Sequence, residues 1–385
     1  MGLSLFTGAA LFDGEAFIDG QTVLVENGSI AALCPVGESV AADTIIELEG
    51  GVLAPGFIDA QVNGGGGVLF NETPTLAGVR AIADAHRSFG VTSILPTLIT
   101  DTPEKTLVAA AAVKDAIAAG CPGCFGIHLE GPFIAPARKG AHDGDHIRPM
   151  SDADVDVLLT LDFGPLLVTL APDVVPPEYI RRLSDAGVIV SLGHSNATYD
   201  EVARAVDAGA RGVTHLFNAM SPQTSREPGT VGAALDDDSL WAGIIADGHH
   251  VHPASIRLAH KAKPPGKLVL VTDAMATVGG DSPVFEVYGE EIRESGGRLV
   301  NADGVLAGSA IGMIDAVCYT HRTVGLPLEE CLRMASLYPA AVLKLDGSLG
   351  RIASGYRADL VHFDENFTVY NTWLAGQRLS HIPST

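Results

Sequence analysis

The chain has 385 residues, 47% hydrophobic and 18% charged, a globular composition with length for one large domain plus a smaller one. Its formal net charge of -22 makes nucleic acid and anionic membrane surfaces poor partners, and an anionic small molecule needs a local basic pocket. The N-terminal MGLSLFTGAALFDG lacks a basic stretch ahead of a long apolar core, and no run reaches the roughly 18 apolar residues of a membrane span. Five cysteines are an odd number without secretory context, so the expected setting is the cytoplasm, with reduced thiols.

Residues 1–52 carry short alternating runs such as ALFDG, QTVLVENGSIAAL and TIIELEGG, separated by Gly and Asn turns, and predict small antiparallel strands. Residues 343–385 repeat that pattern in RADLVHFD, FTVYNTWLAG and QRLS. Each end is short to fold alone, so the two are expected to meet in one small β-sandwich domain interrupted by residues 53–342. Separate end modules are the alternative.

The middle reads as strand then helix, repeated. The strand-like runs are FIDAQVN (57–63), SILPTL (93–98), FGIHLEG (125–131), LLVTLAP (166–172), VIVSLGHS (188–195), GVTHLFN (212–218), WAGIIADGHH (241–250) and KLVLVTDA (267–274). Several are nearly continuous apolar runs, as parallel strands buried on both faces must be. Between them lie Ala-rich amphipathic segments ending in Gly, for example PEKTLVAAAAVKDAIAAG and YDEVARAVDAGA, which suit helices with Gly at the C-terminal cap. Eight such units predict an α/β fold, a (β/α)₈ TIM-like barrel; an open doubly wound sheet is the alternative. QVNGGGGV is not a GxGxxG fingerprint opening a helix, which argues against a dinucleotide fold.

Barrel enzymes carry their chemistry at the C-terminal ends of the strands. Here those ends offer Gln61, Asn63, Glu130, His194, His215, His250 and Asp273. Singly, a barrel histidine is most often a hydrogen-bonded core residue, and Glu130 could be a cap or an ion-pair partner. Together, one carboxylate and two imidazoles at matched depth predict a divalent-metal site that keeps a coordination position for water. Asp273, across the mouth, is expected either to move the proton of the attacking water or to act as a fourth ligand.

The motifs PGFIDAQVNGGGG, HLEGPF, KGAH, LAPD, GHSNAT, THLFNAM, REPG, ADGHHV, VTDA and LAGS occur in this order. From PGFID through ASLYPA to GYRADLVHFD, the chain resembles the N-acetylglucosamine-6-phosphate deacetylase family of the amidohydrolase superfamily. That resemblance implies a barrel plus a small β domain built from both termini. It implies a metal-dependent hydrolase of amino-sugar catabolism and cell-wall sugar recycling. Such an enzyme converts N-acetyl-D-glucosamine 6-phosphate to D-glucosamine 6-phosphate and acetate, with water activated at the metal. It makes Glu130, His194 and His215 the metal ligands and Asp273 the general base and acid. It places Gln61, Asn63, His142, Asn218, Ala219, Arg226, His250, Leu306, Ala307 and Gly308 at the substrate. It also implies a homodimer.

Many superfamily members carry His-x-His where this chain has Gln61-Val62-Asn63. Amides are poor ligands for zinc or iron beside imidazole, so one divalent ion per subunit is expected, Zn²⁺ first, with Fe²⁺, Co²⁺ and Mn²⁺ as alternatives. Arg226 is the expected phosphate ligand, because its planar fork binds two oxygens at once; a surface pair with Glu227 is the alternative. His142 and His250 are each expected at the acetyl carbonyl, a sugar hydroxyl or the phosphate.

Rival readings are another amidohydrolase, such as a cyclic amidase or a deacetylase for a different amino sugar, and a non-catalytic sugar-phosphate sensor. Cys121-Pro-Gly-Cys124 has CxxC spacing without a second ligand pair or a redox context, and is expected to be a turn. His128 is expected in the core beneath Glu130, His249 and His252 as bystanders, and Gly64–Gly67 as a close-approach loop near the substrate rather than a phosphate loop.

Overall fold

The computed structural model describes residues 2–379; Met1 and residues 380–385, the end of the expected C-terminal β segment, lie outside the described residues. Each of the eight apolar runs supplies a strand: β1 (Phe57–Val62), β2 (Val91–Ile99), β3 (Ile127–Glu130), β4 (Leu166–Leu170), β5 (Ile189–Leu192), β6 (Gly212–Val213), β7 (Trp241–Ile245) and β8 (Leu268–Val271). They lie side by side in chain order in one parallel sheet. The sheet closes where the Asp273 amide donates to Gln61 O at 3.0 Å and the Asn63 amide to Ala274 O at 2.9 Å. All nine residues of β2 are buried, which explains why these strands read as continuous apolar runs rather than alternating ones.

The helices pack outside the barrel because their starts and stops are written locally. Thr102 and Thr198 cap Pro103–Ala118 and Tyr199–Asp207 by accepting the amides of Lys105 and Glu201. Gly120 (φ +65°) and Gly209 (φ +112°) stand just past the ends of those helices in the left-handed region that glycine tolerates best.

The two chain ends meet in one β-sandwich. Leu3–Thr7, Gln21–Glu26, Ser29–Pro35 and Thr44–Glu47 form the first sheet. In the second, Val52–Pro55 lies between Ala10–Phe12 and Leu360–Phe363, next to Val369–Leu374, so separate end modules do not occur. The ring of Phe6 meets that of Trp373 edge-on at 5.1 Å in the core between the sheets.

One unit has no counterpart in the expected elements. Four antiparallel strands, Val284–Val287, Glu290–Ser295, Arg298–Val300 and Leu306–Ser309, follow β8. The last returns to the barrel mouth, where the Ser309 amide donates to Asp273 O at 2.9 Å and the Met275 amide to Ser309 O at 3.1 Å. That return is what brings the LAGS segment to the site.

Candidate metal centre and active site

A cavity of about 400 Å³ opens at the C-terminal mouth of the barrel. Glu130 ends β3, His194 follows β5, His215 follows β6 and Asp273 follows β8. All four line it. His194 (φ +47°), His215 (φ +33°) and Asp273 (φ +53°) take left-handed backbone conformations that cost non-glycine residues energy. The turn at His215 also ends β6 after two residues, earlier than the run GVTHLFN leads one to expect.

Glu130 Oε1 lies 3.1 Å from His194 Nε2 and 2.9 Å from His215 Nε2, and the two Nε2 atoms are 3.1 Å apart. His194 Nδ1 donates to Arg138 O at 2.8 Å, which leaves Nε2 as the ring nitrogen facing the cluster. Burial raises Glu130, but the hydrogen bonds and charge of His194 and His215 outweigh it and hold the carboxyl well below its usual range. Burial lowers His215, yet the bond and charge of Glu130 draw a proton to it and leave it raised. Three convergent donor atoms that attract positive charge fit a divalent cation.

Gln61 does not line the cavity; it lies beneath it. Its Nε2 donates to Glu130 Oε2 and to Asp273 Oδ1, each at 3.1 Å. Asn63 Nδ2 adds a 2.6 Å bond to the same Oδ1. Among the described residues, Asp273 Oδ2 has no such partner. Burial and the Glu130 charge push Asp273 up to about 6, against the pull of His215, His250 and Asn63.

His142 is buried beside His194, their ring centroids 4.3 Å apart. Its Nδ1 accepts the Thr100 amide N–H at 3.3 Å and lies 2.7 Å from Thr100 Oγ1. An amide N–H only donates, so Nδ1 is the unprotonated nitrogen and neutral His142 carries its proton on Nε2. Burial, then the charge of His194, holds this histidine well below its ordinary value, in the neutral form.

Asn63, His142, Asn218, Ala219, His250, Leu306 and Gly308 line the cavity; Ala307 does not. Arg226 does not line it either. It stands exposed on the loop after β6, with no ion pair among the described residues. Its neighbour Glu227 instead accepts the amides of Tyr199 (2.8 Å) and Gly229 (2.9 Å). The Gly64–Gly67 run is a close-approach hairpin packed on residues 274–280, where Gly67 N donates to Ala276 O and a Cβ on Gly64 would lie 2.8 Å from Ala276 N; it follows Asn63 but does not itself line the cavity.

His128 is fully buried between Thr97 Oγ1 (3.2 Å) and Thr169 Oγ1 (2.8 Å), and burial lowers it to about 4. Cys121 and Cys124 are buried free thiols, with Cys124 pushed up to about 12 by burial, far from a reactive thiolate. Thr100, which holds His142, and Asp247, which pairs with His250, were missed from the sequence. The only sign of Asp247 is its place three residues before His250 in ADGHHV.

The description "Amidohydrolase family" matches residues 52–379. An N-acetylgalactosamine-6-phosphate deacetylase of Shewanella sp. (strain ANA-3) is 44% identical over 90% of this chain and 89% of its own length. An N-acetylglucosamine-6-phosphate deacetylase of Homo sapiens is 40% identical over 88% of this chain and 86% of its own. The crystal structure of N-acetylglucosamine-6-phosphate deacetylase from Pasteurella multocida superposes with a TM-score of 0.95 at 37% identity, covering 98% of this chain and all of that one. With its eight-stranded barrel, its β-sandwich built from both ends and these relatives along nearly its whole length, the chain belongs to the amidohydrolase family.

Proposed function

We propose that the protein hydrolyses the acetamide of N-acetyl-D-glucosamine 6-phosphate, giving D-glucosamine 6-phosphate and acetate. The observation that carries this reading is the convergence of Glu130, His194 and His215 on one point, with Asp273 on the same cavity wall. The names of the relatives support the substrate class, a small phosphorylated amino sugar.

Glu130, His194 and His215 would hold the ion, which when bound would supply Lewis-acid activation of water and of a carbonyl. Zn²⁺ suits two imidazoles and a carboxylate, and Fe²⁺, Co²⁺ and Mn²⁺ are the alternatives. A single ion is favoured because neutral amide oxygens are weak ligands for such ions beside imidazole, and Gln61 and Asn63 stand where a second ion would want histidines.

Asp273 takes the proton of the attacking water on Oδ2, since Oδ1 is occupied by two amide N–H groups. His142 donates Nε2–H to the acetyl carbonyl oxygen as negative charge develops there. Asp273 then returns the proton to the sugar nitrogen as the carbon–nitrogen bond breaks. The balance is one amide and one water to one protonated amine and one acetate, both water protons ending on the sugar nitrogen. Asn218, Ala219, His250, Leu306 and Gly308 surround the sugar, with Ala307 packed behind them, and Arg226 closes on the phosphate.

In this reading residues 53–342 form the catalytic barrel, supported by 1–52 and 343–385, and the protein is a cytoplasmic homodimer. Among the described residues no helix is long and apolar enough to cross a membrane.

A second reading, the galacto epimer of the same substrate, is favoured by the Shewanella relative at 44% identity. Acetate release from a panel of N-acetylated sugars, with and without the 6-phosphate, separates them. Turnover of the gluco 6-phosphate above the galacto one supports the first reading. The reverse order supports the second. No release from either phosphate overturns both.

A further inference from the structure

Asp247 follows β7 and is the innermost member of a tight turn. Its Oδ1 accepts the backbone amides of His249 and His250, both at 2.8 Å, and its Oδ2 lies 2.6 Å from His250 Nδ1. The side chains are 1% exposed for Asp247 and 7% for His250, so water does not compete for the pair. Gly248 lets the turn form, with φ +81° and a position where a Cβ would lie 2.9 Å from the Tyr319 hydroxyl. Burial raises Asp247, but the bond and charge of His250 and the two amides outweigh it, so the carboxylate is ionised and accepts only.

His250 lines the cavity, and no Lys or Arg among the described residues does. Of the four histidines on that wall, His194 and His215 face Glu130, and His142 has its Nδ1 lone pair taken by Thr100. His250 is built the opposite way from His142: its Nδ1 faces an acceptor, not a donor.

We propose that Asp247 is a positioning residue that fixes the ring of His250 with the proton on Nδ1, so that Nε2 is the atom His250 presents to the substrate. This rests on the deacetylase reading for its substrate, but its geometry stands apart from the metal centre. Asp247 acts through His250 and touches no reacting atom. Its effect is therefore on binding, carried by orientation and protonation together.

Asp247→Asn tests it. The amide keeps an oxygen for the two backbone N–H groups but sets an NH₂ against Nδ1, which forces the other tautomer, as the Asp-to-Asn change behind a triad histidine does. Ring ¹⁵N NMR of the metal-loaded protein, with His250→Gln to assign the signal, should show Nδ1 of His250 protonated in the wild type and unprotonated in Asp247→Asn. In kinetics, Asp247→Asn should raise KM for the phosphorylated sugar at least ~10-fold with a smaller fall in kcat, and adding it to His250→Ala should cost nothing further. An unprotonated Nδ1 in the wild type, a KM within ~2-fold of wild type, or additive effects in the double variant would overturn the proposal. If Asp247→Asn does not fold, the wild-type spectrum decides. If the wild type releases no acetate from any amino-sugar phosphate, the deacetylase reading fails while the ring-nitrogen measurement still judges Asp247.

Discussion

Gln61 Nε2 lies 3.1 Å from Asp273 Oδ1 and 3.1 Å from Glu130 Oε2, so one buried amide ties the proposed proton carrier to a carboxylate of the candidate metal centre. Without that amide, two buried carboxylates would face each other with less to separate their charges. The amide also fixes which oxygen of Asp273 remains available. Asp273→Asn should therefore retain metal and substrate binding and lose turnover by about 10²–10⁴-fold, the usual span for general acid–base catalysis. Metal analysis beside steady-state kinetics checks it, and a wild-type-like kcat would remove Asp273 from its role.

His142 offers a second separation of roles. With Nδ1 engaged by Thr100, only Nε2–H is left for an oxyanion. His142→Ala should lower kcat about 10²–10³-fold, as the loss of one oxyanion donor does. Thr100→Val removes the hydroxyl but keeps the backbone amide, so its kcat should fall less. Equal losses in the two variants would point to packing rather than donation.

Arg226 stands exposed with no ion pair among the described residues, and its proposed partner is the 6-phosphate. Arg226→Ala should raise KM for the 6-phosphate by about 10-fold or more, as expected for loss of a charge-assisted bond worth ~1.5–3 kcal/mol. The unphosphorylated sugar should show no such change. A KM unaffected with both sugars would favour the amidohydrolases of neutral substrates.

Asp59 gives a pH prediction away from the cavity. It is fully buried in β1, bonded by Thr272 Oγ1 at 2.5 Å and by the amides of Gln61 and Thr272, and burial pushes it from 3.8 up to about 7. The folded state therefore holds this proton more tightly than the unfolded one. Its contribution to stability is full below about pH 4 and is lost as pH rises through about 7. Asp59→Asn cannot ionise, so its Tm relative to wild type should climb from about pH 4 and level off above about pH 7. A constant difference across that range would show that Asp59 does not titrate there.

The barrel was legible because its strands are buried on both faces, and continuous apolar runs between Gly-ended helices have few other uses. The candidate metal cluster was legible for a related reason: an imidazole or carboxylate at a strand exit interrupts an apolar run. The insert at 284–309 was not, since PVFEVYGEEIRESGGRLV alternates weakly and resembles a connecting loop. Thr100 and Asp247 were missed because threonine and aspartate are common turn residues. Their importance lies in which histidine nitrogen they meet, set for Asp247 by the turn at Gly248 and for Thr100 by a segment distant in the chain. The same holds for Gln61: its residue type argued against a second metal, but its bonds to Glu130 and Asp273 appear only once β1 closes on β8.

Glu130, His194 and His215 are proposed to hold a single divalent ion, and metal content of the purified protein beside Glu130→Ala and His215→Ala decides it. The geometry predicts about one tightly held divalent ion per chain in the wild type and a large loss in both variants. Two tight equivalents, or one equivalent retained in either variant, would contradict it.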